Sequence, residues 1–349
     1  MQLFSAGPTQ TPDQILSLLA SPTLHHRSKE FEEIFESCVT NMKKLLGLPH
    51  IFFLLSSGSG GMESALSSLA PSSVLVLENG KFAQRWSQIA HNLRIQTHSI
   101  TKEWNQAHSP QEVLDYLRSY PHIECVCFQS VESSGGVKQP YALIAQEIKA
   151  YNPQILIILD GIASIGAESL NLTHIDACIG ATQKALMLPT GLAFVGISNP
   201  ALKLIQTRSP LSFYLALQNY LHSPIAFSLP SSLFVALSWV FEHLDFEINY
   251  QVVAKRAKQT RDLLNHYKIP IYSTSPADSI IAFCDPHNQI KNILAQDKQI
   301  LISSGQSHLK TQISRIGNFG ILQDYDYFLK SLEEVLISLQ DKNLQNTLS

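Results

Sequence analysis

Apolar positions alternate between short continuous runs and longer stretches with helical spacing from about residue 15 to residue 205. The runs at 51–55, 74–77 and 155–159 predict buried strands, because a strand covered on both faces needs no alternating polar residues. Residues 31–47 carry the spacing of a helix that ends at Gly47. Further strands are expected at 125–129, 177–180 and 193–197, and helices near 111–119 and 141–151. Alternating strands and helices predict an α/β fold with a mostly parallel central sheet flanked by helices.

The pattern changes after about residue 230. One long helix or two helices are expected over 233–264, followed by short apolar runs at 269–272, 280–283 and 300–303 and an amphipathic helix at 325–339. We therefore predict a large domain over residues 13–240 and a smaller α+β C-terminal domain over residues 241–349. Residues 1–12 are expected to pack against the smaller domain.

Composition narrows the classes of function. The 349 residues carry a net charge of −3 and no basic cluster, so neither nucleic acid nor a membrane surface is an expected partner. No apolar run has the length of a membrane span, and the N-terminus lacks the features of a secretory signal. Five cysteines without framework spacing predict reduced thiols, and Cys125 and Cys127 lack the further ligands of a metal site. These features predict a cytoplasmic protein without a structural metal.

The most specific chemical signal is a carboxylate and an amine at the ends of two predicted strands. Asp160 ends the run 155–159, and Lys184 follows the run 177–180 in a turn of small residues. A lysine is rarely buried unless it is functional, because desolvating its ammonium group is costly. An amine that forms a Schiff base with an aldehyde and a carboxylate that keeps a pyridine nitrogen protonated serve an enzyme of pyridoxal 5′-phosphate (PLP). The pair therefore predicts a PLP site.

Other positions would complete such a site. The turn at 56–61, SSGSGG, joins a strand to a helix, where small residues and the helix N-terminus favour a phosphate. Gln183 could donate to a phosphate oxygen, and Phe82 opens the next helix, where its ring could cover a planar cofactor. Arg315 could grip a carboxylate through its guanidinium group. Taken singly, these features also fit an ordinary turn, a core phenylalanine and an interdomain ion pair.

Nine ordered blocks of the chain resemble the class V aminotransferases, a fold-type I PLP-dependent family that includes alanine–glyoxylate and serine–pyruvate aminotransferases. The blocks are AGPT at 6–9, HRS at 26–28, SGSG at 57–60 with ME at 62–63, NG at 79–80 with QR at 84–85, ESS at 132–134 with GV at 136–137, DGIASIG at 160–166, TQK at 182–184, SFYL at 212–215 and RIG at 315–317. The resemblance implies the fold-type I architecture, with a large PLP-binding domain and a smaller C-terminal domain.

The resemblance also implies a role for each matching position. Lys184 would form the Schiff base with PLP, and Asp160 would face the pyridine nitrogen. Arg315 would bind the substrate carboxylate, and Phe82 would stack on the cofactor where many relatives have tryptophan. Further cofactor contacts are implied at Ser57, Gly58, Ser59, Ser134, Ile162, Gln183 and, from a neighbouring subunit, Ser228. That last contact implies an obligate homodimer with shared active sites.

Two positions depart from the family pattern. Gly135 stands where relatives usually have threonine, and Ile225 where some relatives place a tyrosine for the partner's phosphate. PLP binding is still expected with these changes. They leave the identity of the substrate and the catalytic efficiency open.

The implied activity is a ping-pong transamination between a small amino acid, such as alanine or serine, and a 2-oxo acid, such as glyoxylate or pyruvate. Other fold-type I enzymes are alternatives. A cysteine desulfurase needs a mobile cysteine, whereas Cys284 ends an apolar run and no histidine directly precedes Lys184. A phosphonate aminotransferase would need extra basic residues in the pocket. A non-catalytic partner subunit would have lost the lysine, aspartate or arginine.

Overall fold

A computed structural model of the chain describes residues 1–320 and 324–348, with side chains described up to Asp341. The strands are β1 (Gln2–Leu3), β2 (His50–Ser56), β3 (Ser73–Glu78), β4 (Gln96–Thr101), β5 (Cys125–Gln129), β6 (Val131–Glu132), β7 (Val137–Lys138), β8 (Leu156–Asp160), β9 (Ala177–Ala181), β10 (Gly191–Ile197), β11 (Ile280–Cys284), β12 (Ile300–Leu301), β13 (Ser303–Ser304) and β14 (Ile313–Gly317). The α-helices are α1 (Asp13–Leu19), α2 (Lys29–Leu46), α3 (Gly58–Leu69), α4 (Ala83–Asn92), α5 (Pro110–Ser119), α6 (Tyr141–Tyr151), α7 (Asn199–Thr207), α8 (Ser231–His243), α9 (Phe246–His266), α10 (Gln289–Asp297) and α11 (Tyr325–Leu348).

Seven strands form the central sheet, in the order β2-β10-β9-β8-β5-β3-β4. Neighbouring pairs from β9 to β4 are parallel, and β10 runs antiparallel to both β9 and β2. The prediction of an α/β fold with a mostly parallel sheet is therefore confirmed. All five residues of β5, β8 and β9 are buried, as expected for strands covered on both faces.

Alternate side chains of the central strands enter two separate apolar layers. In β8, Ile157 and Leu159 join the layer covered by α2, α5, α6 and α8, whereas Leu156 and Ile158 join the layer covered by α3, α4 and α7. This division follows from the two-residue period of a strand. Within the described part of the chain, no helix has both the length and the apolar composition to cross a membrane.

The C-terminal part builds a second core. Strands β11, β14 and β13 form an antiparallel sheet, and β1 pairs in parallel with β12. Phe4 packs in the same apolar cluster as residues of β11 and α11. The N-terminal strand thus lies against C-terminal elements.

Several sequence-based details need correction or refinement in this part. The expected run at 269–272 is not a strand beyond an isolated bridge at Ile271, and the run at 300–303 is divided between β12 and β13. The span 233–264 contains two helices. The division between residues 240 and 241 stays a prediction; it lies within α8, and both Val240 and Leu244, just after the helix, pack in the central core. Residues 321–323 and 349 of the predicted C-terminal domain lie outside the described residues.

Four connections begin at the same end of the central sheet, where strands β2, β3, β8 and β9 reach their C-termini. Since β2, β3, β8 and β9 run in the same direction, the turns that follow them lie at the same end of the sheet. These turns contain the SSGSGG segment, Phe82, Asp160 and Lys184. The carboxyl edge of an open α/β sheet is where such folds bind ligands.

Candidate active site

A cavity of about 270 Å³ opens at this edge of the sheet. Nine of the eleven residues predicted for the site line it: Ser57, Gly58, Ser59, Phe82, Asp160, Ile162, Gln183, Lys184 and Arg315. The other two, Ser134 and Ser228, do not. Residues separated by more than 250 positions in the sequence therefore meet in one place.

Asp160 is the last residue of β8 and is buried. Its Oδ1 accepts a hydrogen bond of 2.9 Å from the backbone N–H of Ile162. Burial, together with the nearby charge of Glu132, raises the pKa of Asp160 to about 7, although the hydrogen bond from Ile162 and the charges of Lys184 and Arg85 act in the opposite direction. An adjacent cation would favour the ionised form, so this carboxylate is suited to a positively charged partner.

Lys184 lies in the turn after β9, and its side chain is almost fully buried. Its Nζ donates to the backbone oxygen of Ala6 and lies 5.2 Å from the centre of the Phe319 ring. Burial, together with the nearby charge of Arg315, lowers the pKa of Lys184 to about 7, against the opposite effects of Asp160 and Glu132. A substantial fraction of this lysine is therefore a neutral amine near pH 7, which is the nucleophilic form.

The N-terminal segment from Ala6 to Thr9 packs over Lys184. The backbone N–H of Thr9 donates to the oxygen of Gln183 at 3.0 Å. Gly7 has φ of +130°, and a Cβ there would meet Lys184 Nζ, so the close approach requires glycine. The sequence predicts no site role for this segment, which carries only part of the family resemblance.

The SSGSGG turn forms the start of α3. Ser57 is the N-cap, and a Cβ on Gly58 would clash with Ile162, so only glycine allows this contact. The first backbone N–H groups of a helix have no acceptor within the helix and carry its positive dipole end. Ser59 Oγ accepts a hydrogen bond of 2.6 Å from Arg85 Nη1. This end of the cavity is suited to an anion.

Phe82 and Gln183 line the cavity from two other connections. Phe82 is the N-cap of α4 and lines the cavity, as do Ile162 and Ala163. Gln183 has a buried side-chain oxygen that makes no hydrogen bond to any described residue. A buried amide without a partner is costly unless a ligand supplies one.

Arg315 lies in the middle of β14 and reaches the cavity from the C-terminal part. Its Nε and Nη2 donate to the oxygen of Ser304 at 3.0 and 2.8 Å, and its Nη1 donates to the oxygen of Ser133 at 2.8 Å. Burial lowers its pKa to about 10, and the charge of Glu132 partly opposes the shift. These bonds fix the guanidinium plane without neutralising its charge, so it can receive a carboxylate.

Ser134 lies behind the cavity wall. Its Oγ donates to Glu132 Oε1 at 2.5 Å and accepts from the backbone N–H of Lys81 at 3.0 Å. The other carboxylate oxygen of Glu132 accepts from the backbone N–H of Ala83 at 2.9 Å. The hydrogen bonds of Ser134 thus connect β6 with the segment before α4. Of the two neighbouring serines, Ser133 lines the cavity and Ser134 does not.

The two family departures have different surroundings. A side chain at Gly135 would clash with the backbone oxygen of Trp104, so the threonine of the relatives does not fit here without a backbone shift. Ile225 is buried in the core that covers the central sheet. Ser228 is exposed and lies outside the cavity of its own chain.

Reasoning from the sequence assigned no site role to the other ten cavity residues, and three of these, Gly7, Arg85 and Ser133, lie closest to the chemistry of the site. Each stands within or beside a block that carried the family resemblance, so proximity to those blocks was the available signal. Within the described residues, no group of three or more His, Cys, Asp or Glu side chains is placed to hold a metal ion.

The cavity fits PLP on the chemistry of its donors. The α3 N-terminus and the hydroxyl of Ser59 suit a phosphate, and Phe82 offers an aromatic surface. Asp160 and Lys184 provide the carboxylate and the amine that the pyridine and the aldehyde require. No cavity position opposes this assignment.

The lowered pKa of Lys184 gives a testable dependence of stability on pH. Between about 7 and the ordinary value of 10.5, the unfolded chain binds more protons than the folded chain, so wild-type stability gains from this group as pH rises. We expect cofactor-free Lys184→Met to have its greatest stability advantage over wild type below about pH 7. That advantage should shrink as pH approaches about 10. Urea unfolding at several pH values checks this, with exposed Lys44→Met as the control for a lost charge. A difference that does not change with pH would contradict it.

Comparison with known proteins gives the family. The family model described as aminotransferase class-V matches residues 1–317. An uncharacterized aminotransferase of Helicobacter pylori (strain ATCC 700392 / 26695) is 34% identical over 356 residues, covering 99% of this chain and 95% of the relative. An L-aspartate–glyoxylate aminotransferase of Paracoccus denitrificans (strain Pd 1222) is 26% identical, covering 92% of this chain and 87% of the relative.

The fold of this chain also matches that of an aminotransferase of known structure. The solved structure of an aspartate aminotransferase of subgroup IV from Thermus thermophilus matches with a TM-score of 0.89 and 24% identity, over 97% of this chain and 99% of the other. This likeness shows the fold-type I architecture. Together with the family match, it shows that the chain belongs to the class V aminotransferases and that its cofactor is PLP.

Proposed function

We propose that this aminotransferase moves an amino group between a small amino acid and a 2-oxo acid of the glyoxylate or pyruvate type. The observation that carries the proposal is the meeting of Lys184, Asp160 and Arg315 in one buried cavity. The amine, the carboxylate and the guanidinium group match the three groups that the reaction must engage: the aldehyde, the pyridine nitrogen and the substrate carboxylate.

PLP supplies the electron-withdrawing ring that stabilises negative charge at the substrate α-carbon. Lys184 would hold the cofactor covalently and then, once released, carry a proton from the substrate α-carbon as a neutral amine. Its lowered pKa suits that task, because a general base works best when its pKa is near the operating pH. Asp160 would keep the pyridine nitrogen protonated, and a cation at that position would return its raised pKa toward the ordinary range.

Arg315 would orient the donor. Its bonds to Ser304 and Ser133 leave N–H groups on both Nη atoms for a carboxylate. Since every α-amino acid and 2-oxo acid carries that carboxylate, Arg315 would bind both substrates of the ping-pong cycle. Arg315 alone therefore does not determine which amino-donor side chain the enzyme accepts.

The finer choice of substrates rests on relatives and on the shape of the cavity. The Paracoccus relative is named for L-aspartate and glyoxylate, which supports a small 2-oxo acid as the acceptor. Ala6, Val131 and Ala163 form the apolar part of a lining that also holds polar side chains such as Ser133. We therefore retain alanine, serine and aspartate as the donors to test.

The alternatives have less support from the geometry. None of the described residues that line the cavity is a cysteine, and Cys284 lies at the end of β11 opposite Ile313, which disfavours a cysteine desulfurase. The intact Lys184, Asp160 and Arg315 disfavour a non-catalytic partner subunit. A third basic residue, Arg85, lines the cavity, but its hydrogen bond is to Ser59 at the phosphate end.

We also propose the homodimer and the cytoplasmic location. Phe213 is 77% exposed and stands with half-exposed Tyr214 in the segment before Ser228, an apolar surface suited to a second copy of the chain. In a dimer, Ser228 could serve the partner's phosphate site. Sedimentation at twice the chain mass of 38.8 kDa would agree with the dimer, and sedimentation at that mass would contradict it.

The cytoplasmic location is supported by the cysteines. All five are free thiols, as expected in a reducing compartment.

Lys184→Ala tests the assigned amine. We expect the visible absorbance of the bound cofactor to lose its lysine-linked band and turnover with alanine, serine or aspartate to fall by at least about 10²–10⁴-fold. Absorbance spectra and coupled assays for the 2-oxo acid product measure both effects. The exposed Lys44→Ala is the control. Transamination at the wild-type rate in Lys184→Ala would sink the assignment.

Arg315→Lys tests the carboxylate site. Lysine keeps the positive charge but loses the planar fork that binds a carboxylate through two hydrogen bonds. We expect the KM for the amino donor to rise by about 10- to 100-fold, with a smaller change in kcat. Steady-state kinetics measure this, with Arg261→Lys as a matched change at the ion pair with Asp278. An unchanged KM for every donor would place the substrate carboxylate elsewhere.

A further inference from the structure

Arg85 is a cavity cation that the proposed function leaves without a task. It lies in the first turn of α4 and lines the cavity together with Phe82. Within residues 1–320 and 324–341, no carboxylate forms an ion pair with it, and its side-chain hydrogen bond is the one to Ser59. A positive charge that lines a cavity and has no carboxylate in ion-pair contact can receive an anionic ligand.

The position of Arg85 identifies the end of the cavity that it serves. Its Nη1 is 2.6 Å from Ser59 Oγ, and Ser59 belongs to the first turn of α3. Its guanidinium carbon lies 5.9 Å from the centre of the Phe82 ring, which restrains the arginine from one side. Arg85 therefore reinforces the positive end of α3, whereas Arg315 is held by Ser133 and Ser304.

The other predicted phosphate contacts carry no positive charge of their own. Ser57, Gly58, Ser59 and Gln183 all offer neutral donors. A phosphate monoester carries about −1.5 to −2 charges at pH 7, and placing it in a largely buried site is costly unless a cation is near. Arg85 is the cavity residue that supplies this charge beside Ser59.

We propose that Arg85 binds the phosphate of PLP within its own chain and provides the main positive charge for it. The inference rests on the proposed function, because it uses the same orientation of the cofactor, with its phosphate toward α3 and its aldehyde toward Lys184. In this arrangement Ser59 is held by Arg85 and faces the same anion. A guanidinium group suits this role because it can donate two parallel hydrogen bonds to phosphate oxygens.

The test compares PLP with pyridoxal, which has the aldehyde and the ring but no phosphate. The full-length protein is freed of cofactor, and the affinity for each compound is measured by absorbance titration in wild type, Arg85→Gln and Arg85→Lys. We expect Arg85→Gln to weaken PLP by about 10- to 100-fold and pyridoxal by less than about threefold. Arg85→Lys should fall between wild type and Arg85→Gln for PLP. Arg94→Gln, at an exposed arginine just after α4, is the matched control.

Inorganic phosphate provides a readout that needs no aldehyde. It should raise the Tm of the cofactor-free wild type and of Arg94→Gln, and raise that of Arg85→Gln much less, because at a given concentration a ligand stabilises the folded state more when it binds more tightly. Circular dichroism and the Tm without phosphate show whether each variant is folded. If Arg85→Gln is unfolded, Arg85→Lys carries the comparison.

Three results would overturn the proposal. Equal losses of PLP and pyridoxal affinity would show that Arg85 supports the fold or the ring. Unchanged affinity for PLP would show that Arg85 does not reach the phosphate. A raised KM confined to aspartate, with PLP affinity intact, would make Arg85 a receptor for the donor's second carboxylate. Wild-type protein that binds PLP no better than pyridoxal would instead overturn the phosphate end of the proposed function.

Discussion

The burial of an amine and a carboxylate in one cavity is the constraint on which the rest of the site depends. Desolvation drives both groups toward neutrality, lowering the pKa of Lys184 and raising that of Asp160, each to about 7. A lysine in this state can act as a nucleophile and base, and a carboxylate in this state gains from a cationic partner. The surrounding backbone maintains the burial: Gly7 allows the N-terminal segment to close over Lys184, and Asp160 is held at the end of a fully buried strand.

Much of this arrangement could be predicted from local sequence. Continuous apolar runs identified β2, β3, β5 and β8, because strands buried on both faces leave that pattern. Asp160 and Lys184 could be assigned to strand ends, and parallel topology then brought them to one edge. Arg315 was recognised from its neighbours, although its strand β14 was not predicted. The family resemblance assigned roles that the residues alone left open.

The remaining features depend on contacts that local patterns do not encode. Strand β4, at the edge of the sheet, has mostly polar and exposed residues, so no apolar run marks it. The contact of Gly135 with Trp104 and the bond of Arg85 to Ser59 join separate connections of the fold. Ser133 and Ser134 are adjacent and chemically identical, and the geometry of the β6–β7 turn decides which one lines the cavity. In each case the tertiary packing supplies the information.

The most direct test of the central claim is to locate the cofactor on the chain. Borohydride reduction of the purified holoenzyme converts a lysine–PLP Schiff base into a stable secondary amine, which survives digestion and can be assigned by peptide mass spectrometry. Our account predicts a phosphopyridoxyl group on Lys184, and its loss when an amino donor is added before reduction. A phosphopyridoxyl group on another lysine, or on none, would contradict the account.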